Sequence, residues 1–358
     1  MKIGIDISQI IYETGVSWYT KNLVENLLKL STSDEFTLFG GSLRQTEKLK
    51  LLTKSFKGNF TTKFYPFPPL LADYVWNRLH VLPIEGLIGK VDVFHSSDWT
   101  QPPTKAYKVT TIHDLVPIIF PEDTPPGVVA VHKRRLAWVK KEVDKIIAVS
   151  ESTKSDIIER LGIPEEKITV IYEAPDPIYT KRTKVEIDKV KAKYSISEDY
   201  LLSVGSGKRK NLGRTYEAFL GVRRQKPNLK LVIACHGELN LQKGMIQAKS
   251  PTGDELACLY SGAQCLAYAS LYEGFGLPIL EAFSCLCPVV TSNASSMPEV
   301  AGNAAIIVDP HSAKSIEEGM LEAIRTRESL IVRGKKRVRE FSWEKTARET
   351  LEIYHEAI

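Results

Sequence analysis

The residues with the most chemical promise lie in one run, Ser270-Leu271-Tyr272-Glu273-Gly274-Phe275-Gly276-Leu277-Pro278-Ile279-Leu280-Glu281-Ala282. It reads as a loop that follows a strand and opens a helix near Leu277 or Pro278, where proline's missing N–H has no partner to lose. Gly274 and Gly276 let backbone approach a ligand closely. The unbonded N–H groups of the helix start, together with the helix dipole, then seat a phosphate or sugar hydroxyls. Glu273 and Glu281 bracket this loop, and carboxylates accept charge-assisted hydrogen bonds from vicinal hydroxyls, so one can hold a sugar and the other a ribose. As an isolated pair they read equally well as a surface glutamate and a helix-start carboxylate favoured by the dipole. The glycines between them favour the ligand site.

A second cluster, Lys208-Arg209-Lys210-Asn211, follows Val204-Gly205-Ser206-Gly207 beyond a strand and before a helix. Fixed cations placed there stabilise the charge that grows on a departing diphosphate, best where water is excluded. Most such runs are solvated surface, and Lys208 fits that description. Gly205 and Gly207 also begin a dinucleotide fingerprint, but Lys210 stands where its third glycine belongs, which disfavours a nicotinamide enzyme. Nearer the start of the chain, Thr111-Ile112-His113-Asp114-Leu115-Val116-Pro117 puts His113 and Asp114 at the carboxyl end of a strand, with Asp114 read as orienting the loop. In Glu13-Thr14-Gly15-Val16-Ser17, Gly15 brings backbone near a diphosphate or an acceptor, while Ser17 is either a weaker contact or the N-cap of a helix beginning near Trp18. Ser150-Glu151-Ser152 reads as a helix N-cap or a ligand loop.

These residues need a scaffold of strands that end in loops. Short β-branched runs alternate with longer amphipathic stretches, the pattern of parallel sheets crossed by helices. Strands are expected at Lys2 to Ile7, Phe36 to Phe39, Val91 to His95, Val109 to His113, Lys145 to Val149 and Lys167 to Ile171. A second series is expected at Tyr200 to Val204, Leu231 to Ala234, Cys265 to Ala269, Pro288 to Thr291 and Ala304 to Val308. Between the two, Glu173-Ala174-Pro175-Asp176-Pro177 reads as a hinge. The expected division is an N-terminal domain over 1–174, a C-terminal domain over 175–342, and a terminal helix over 343–358 that can pack back on either.

The 270–282 run resembles glycosyltransferase family 4, and the resemblance continues through Cys287-Pro288-Val289-Val290-Thr291-Ser292-Asn293, Met297-Pro298-Glu299-Val300-Ala301-Gly302 and Val308-Asp309-Pro310. It implies an α/β fold of GT-B architecture, with two Rossmann-like parallel-sheet domains facing across a cleft. It implies a retaining hexosyltransferase that takes a GDP- or UDP-linked sugar, with a slight lean to mannose, and passes it to a glycan or lipid-linked acceptor. By resemblance, Glu273 contacts the donor sugar, Glu281 the ribose, and the Gly274, Phe275, Gly276 and Leu277 backbone the sugar and diphosphate. Arg209 and Lys210 match the family's phosphate-binding pair, Gly15, Gly205 and Ser206 fall in donor loops, and His113 lies beside the donor sugar. The catalytic set is thus His113, Glu273, Arg209 and Lys210. One departure is Leu286, where relatives often place glycine, which questions the local helix cap.

With no Asp-x-Asp and no metal-ligand spacing in the chain, the expectation is a reaction without metal or cofactor, the cations and helix amides serving instead. The chain has 358 residues, of which 43% are hydrophobic and 25% charged, a globular balance that allows two domains. The net charge of +5 does not favour nucleic-acid binding but is compatible with an anionic membrane surface. No apolar run reaches the roughly 20 residues of a membrane span, so a cytoplasmic enzyme, peripheral at the inner face of the membrane, is expected. The five cysteines read as buried free thiols. Two aromatic or basic stretches, Phe64 to Leu71 and His132 to Lys141, lie in the domain that by resemblance binds the acceptor; for the second, a packed helix with a solvated basic face is the alternative to a lipid-binding one. Two rival functions remain, a sugar-nucleotide epimerase of the same fold and a non-catalytic nucleotide-sugar sensor.

Overall fold

A computed structural model describes residues 1–12 and 14–357; Glu13, at the start of the Gly15 loop, lies outside the described residues. The chain forms two units, one made of Met1–Glu173 and Ser342–Ile358, the other of Ala174–Phe341. It therefore leaves the first unit once and returns to it for its last helix.

The first unit holds a fully parallel sheet of seven strands: β1 (Lys2–Asp6), β2 (Glu35–Gly41), β3 (Phe60–Tyr65), β4 (Val93–Ser96), β5 (Tyr107–Ile112), β6 (Lys145–Ala148) and β7 (Ile168–Val170). Their order across the sheet is β3-β2-β1-β4-β5-β6-β7. The second unit holds six parallel strands, β8 (Tyr200–Val204), β9 (Lys230–Cys235), β10 (Met245–Lys249), β11 (Leu266–Tyr268), β12 (Val289–Ser292) and β13 (Ile306–Val308), in the order β10-β9-β8-β11-β12-β13. Central strands are covered by helices on both faces, so they read as continuous apolar runs. Ile3, Leu38, Ile146, Leu201, Leu231 and Val290 are all fully buried.

Two strands go beyond those expected. Both β3 and β10 lie at a sheet edge, and in β3 no residue is fully buried. Edge strands bury little, so Phe60-Thr61-Thr62-Lys63 and Met245-Ile246-Gln247 lack the apolar run that marks a central strand. The expected helix start near Trp18 is also corrected. The helix runs Gly15–Leu30, and its N-cap is Thr14, whose side chain accepts from Ser17 N while Ser17 Oγ accepts from Thr14 N. Ser17 is thus the third residue of a capping box and not the cap itself.

The terminal helix, Trp343–His355, belongs to the first unit. Tyr354 Oη lies 2.6 Å from His95 Nδ1, Thr346 Oγ1 donates to Tyr172 O at 2.7 Å, and Trp343 meets the Tyr19 ring edge-on. The helix end at Leu286 keeps its geometry despite the missing glycine. Leu286 adopts φ 58°, its N–H donates to Phe283 O, and Cys287 N donates to Ala282 O at 2.8 Å, which completes a Schellman motif around a leucine. All five cysteines are buried and free. Among the described residues no helix is long and apolar enough to cross a membrane.

Candidate functional site

In an open parallel sheet, ligands bind beyond the carboxyl ends of the strands where the strand order reverses. In the second unit that point lies between β8 and β11, and the two sequence-predicted loops extend from these neighbouring strands. After β8 the chain turns through Gly205, at φ 88°, and the 3-10 turn Lys208–Lys210 into the helix Leu212–Gln225. The Gly205 turn is needed for Lys210: a Cβ at Gly205 would come within 3.0 to 3.2 Å of three carbons of the Lys210 side chain. Asn211 fixes the other end, holding φ 58° while its buried Nδ2 donates to Ala269 O at 3.0 Å and Pro310 O at 2.7 Å. Asparagine tolerates this left-handed conformation better than most residues.

The loop after β11 is tied back by two serines that the sequence did not single out. Ser296 Oγ lies 3.0 Å from Glu273 O and 2.6 Å from Phe275 O, and Ser295 Oγ also donates to Glu273 O. Leu271 N donates to Arg209 O at 2.7 Å, joining the two loops directly. Gly276 then takes φ 108° as the N-cap of the helix Leu277–Ser284.

Glu273, Arg209 and Lys210, predicted from separate motifs, converge. Arg209 Nη1 donates to Glu273 Oε2 at 2.6 Å and to Tyr272 O at 3.1 Å; Lys210 Nζ donates to Glu273 Oε1 at 2.6 Å. Tyr268, invisible as a site residue in its apolar strand, accepts a second hydrogen bond from Lys210 at 2.7 Å and places its ring beneath the ammonium. Burial alone would raise the Glu273 carboxyl, but Lys210 and Arg209 outweigh it and hold the group at about 2. Burial lowers Lys210, opposed by Glu273. Two cations against one carboxylate leave an excess of positive charge in the loops that lead to the helix Leu277–Ser284, a setting that suits an anion.

Glu281 stands apart from this cluster on the helix itself. Its Oε2 accepts from Tyr260 Oη at 2.8 Å, and burial, reinforced by the charge of Asp176, pushes it up to about 7 against the opposing Tyr260 bond. The two glutamates thus sit on opposite sides of the ordinary carboxylate range. Carboxyl groups shifted in opposite directions by their surroundings make the pair a candidate for function. Of the other predicted donor residues, Ser206 is exposed, and Gly274, Phe275 and Leu277 continue the loop into the helix.

His113 and Gly15 belong to the first unit, so each is described there. His113 follows β5, with Nδ1 2.7 Å from Glu173 Oε1 and its ring edge-on to Tyr19. Burial alone would lower His113, but the Glu173 hydrogen bond and charge, with smaller contributions from Asp98 and Asp114, raise it above its ordinary value. In the sequence Glu173 reads only as the first residue of the hinge, and its pairing crosses 60 positions of sequence. Asp114 Oδ1 accepts from Val116 N at 2.8 Å, so it shapes the loop. Gly15 is the first residue of its helix with open space around it. Behind His113, neutral His95, lowered to about 3 chiefly by burial, bridges Tyr354 and Thr111. The basic stretch lies in the helix Pro126–Glu142, where Arg135 is buried and reaches Asp98 at 3.3 Å while Lys133, Lys140 and Lys141 are exposed.

Comparison with known proteins agrees with this layout. The family Glycosyltransferase Family 4 matches residues 14–177, and Glycosyl transferases group 1 matches residues 186–339. The O-antigen chain mannosyltransferase B of Escherichia coli is 29% identical, covering 99% of each chain. The O-antigen chain mannosyltransferase RfbU of Salmonella typhimurium is 29% identical over 57% of each. Among solved structures, Anabaena Alr3699/HepE in complex with UDP and glucose superposes with a TM-score of 0.72 at 15% identity, covering 99% of this chain and 100% of its own. With Glycosyltransferase Family 4 matched in the first unit, Glycosyl transferases group 1 in the second, and the two parallel sheets of GT-B architecture in place, the chain belongs to the family 4, group 1 glycosyltransferases.

Proposed function

We propose that this glycosyltransferase moves a mannosyl residue from a nucleotide-diphosphate sugar to a growing glycan or lipid-linked saccharide, with retention of anomeric configuration and without a divalent ion. The observation that carries the reading is the convergence of Arg209 and Lys210 on Glu273 beside the N-terminus of Leu277–Ser284. The diphosphate leaving group takes the cations and the helix amides, which stabilise the charge it gains as the glycosidic bond breaks. Glu273, ionised and held in place by those cations, accepts hydrogen bonds from the hydroxyls of the transferred sugar. Glu281 receives the ribose hydroxyls. Retention follows if the acceptor attacks from the face of the departing phosphate, which then takes the acceptor's proton. His113, oriented through Nδ1 by Glu173, is assigned to the donor sugar, and Gly15, Gly205 and Ser206 to the donor loops, on the family resemblance.

Mannose is favoured because the full-length curated relative is named a mannosyltransferase, and an O-antigen type of glycan acceptor is favoured by the same name. The HepE complex holds UDP and glucose, which supports a UDP-linked donor; a GDP-linked one rests on the family resemblance. We place the enzyme in the cytoplasm, in peripheral contact with the membrane that carries its acceptor. The test incubates the protein with UDP-, GDP- and ADP-sugars and acceptor, with and without EDTA, and follows nucleoside diphosphate release and product anomeric configuration by NMR. Release that survives EDTA and yields an α-linked product from an α-linked donor is expected. An altered sugar nucleotide without transfer would make the chain an epimerase, and no release with any donor would overturn the reading.

A further inference from the structure

The first unit contains a cavity of about 440 Å³ that none of the donor chemistry uses. It opens beyond the carboxyl ends of β1, β2 and β4, at the point where the strand order of this sheet reverses. That is where open α/β sheets receive ligands, and the volume is that of a small-molecule site.

Its walls are chiefly Tyr12, Phe39, Phe67, Trp76, Trp99 and Val131. The carboxylates and the amide of the lining, Asp6, Asp73 and Gln9, are already engaged. Asp6 accepts from Ser8 N and Ser8 Oγ, Gln9 donates to Thr20 at 2.6 Å and accepts from Asp98 N at 3.1 Å, and Asp73 accepts from Arg134 at 2.6 Å and from Asn77 at 3.1 Å. A saccharide placed inside would trade its hydration for few new hydrogen bonds, and each unpaired hydroxyl weakens binding. A hydrocarbon suffers no such loss and gains from every methylene buried. At the cavity, Leu70 is 83% exposed and Tyr12 43%, an apolar lip of the kind a chain passes on entry.

We propose that this cavity receives the hydrocarbon carrier of an amphiphilic acceptor, so that the substrate class is a saccharide attached to a lipid-like chain and not a free glycan. The assignment of the ligand as acceptor rests on the transferase reading above; the binding of a hydrocarbon does not.

Methyl, butyl and octyl mannosides, kept below their micelle concentrations, are titrated into the full chain and followed by tryptophan fluorescence, since Trp76 and Trp99 line the cavity. Affinity is expected to rise about fourfold per methylene until the cavity is filled. Gly127, on the cavity wall, has no heavy atom within 4 Å of an added Cβ, so Gly127→Phe can project a ring into the space without displacing backbone. That variant should weaken octyl mannoside at least tenfold and flatten the chain-length series, with Val131→Trp as a second filling variant and melting temperature as the check on folding. Transfer assays should show a KM for octyl mannoside far below that for methyl mannoside. Equal affinity across the series, or filled variants that bind octyl mannoside as the parent does, would overturn the proposal. So would phospholipid vesicles that displace octyl mannoside while KM is the same for both mannosides, since the cavity would then be a lipid anchor. Absence of donor breakdown with every sugar nucleotide would sink the transferase reading and leave the binding series intact.

Discussion

Lys210 Nζ lies 2.6 Å from Glu273 Oε1, so the ammonium proposed to neutralise the leaving diphosphate is held by the carboxylate proposed to grip the sugar. Glu273 keeps the cation positioned and deprotonated carboxylate keeps it charged, which lowers the reorganisation needed when the donor arrives. Lys210→Ala should therefore reduce nucleoside diphosphate release by about 100- to 1000-fold. Arg209→Ala should do the same within that range. Single-turnover release is the measurement, and a loss below tenfold for both variants would remove the cations from the chemistry.

The two glutamates predict opposite pH slopes for the ligand-free protein. Glu273 lies at about 2, below its ordinary value, so its stabilising contribution is present above the unfolded carboxylate range and is lost as the pH falls toward 2. Glu281 lies at about 7, above its ordinary value, so its contribution is complete below the unfolded range and is lost as the pH rises through 7. Glu281→Gln, which keeps an acceptor for Tyr260, should raise the melting temperature at pH 8 and leave it nearly unchanged at pH 4. Melting curves of both proteins across that range provide the check.

Nucleotide binding should carry the same signature. Ribose hydroxyls donate to the ionised carboxylate, so binding pulls Glu281 toward its charged form and releases protons near neutral pH. The nucleoside diphosphate should bind up to about tenfold more tightly at pH 8 than at pH 6, a difference absent from Glu281→Gln. Calorimetry in buffers of different ionisation enthalpy measures the protons directly.

His113 owes its raised value to Glu173, whose charge outweighs the burial that would lower it. Glu173→Gln should lower the His113 pKa, read from the imidazole carbon and nitrogen shifts in NMR. The alkaline limb of a rate profile that depends on His113 should move down by the same amount. An unchanged titration would show that Glu173 does not hold the ring's charge.

Asn211 joins both loops through one side chain, so its loss should be felt by the whole second unit. Asn211→Ala removes two buried hydrogen bonds and places alanine at φ 58°, together about 2–4 kcal/mol. Asn211→Gly, which accepts that φ, should recover about 1 kcal/mol of the loss. The denaturant midpoint of the second unit separates the two.

Much of the scaffold was legible in the sequence, because central strands of a parallel sheet are buried on both faces and read as unbroken apolar runs. Tyr200 to Val204 matches its observed strand end for end. What escaped was whatever one face or one partner decides. Edge strands β3 and β10 carry mixed residues because water covers one side. The cap at Thr14 was hidden behind Ser17, since both residues of a capping box look like caps. The candidate site was legible where glycines and charges fall in one loop, as with Glu273 and Gly276, and illegible where partners meet only through tertiary packing. Tyr268, Tyr260, Ser296 and Glu173 come from strands, helices and connections whose local signal says nothing of the partner each one meets. Leu286 shows the reverse: a missing glycine did not cost the cap, because the hydrogen bonds from Leu286 and Cys287 hold a leucine in the left-handed region.

The return of the chain to its first unit at Ser342 sets an order on synthesis. A ribosome that has released the first 341 residues has delivered every part of the second unit, while the first still lacks the tyrosine that meets His95 and the tryptophan that meets Tyr19. The unit begun first is thus completed after the other, and a break in the chain within Trp343–His355 would injure the first unit while sparing the second, which is already whole.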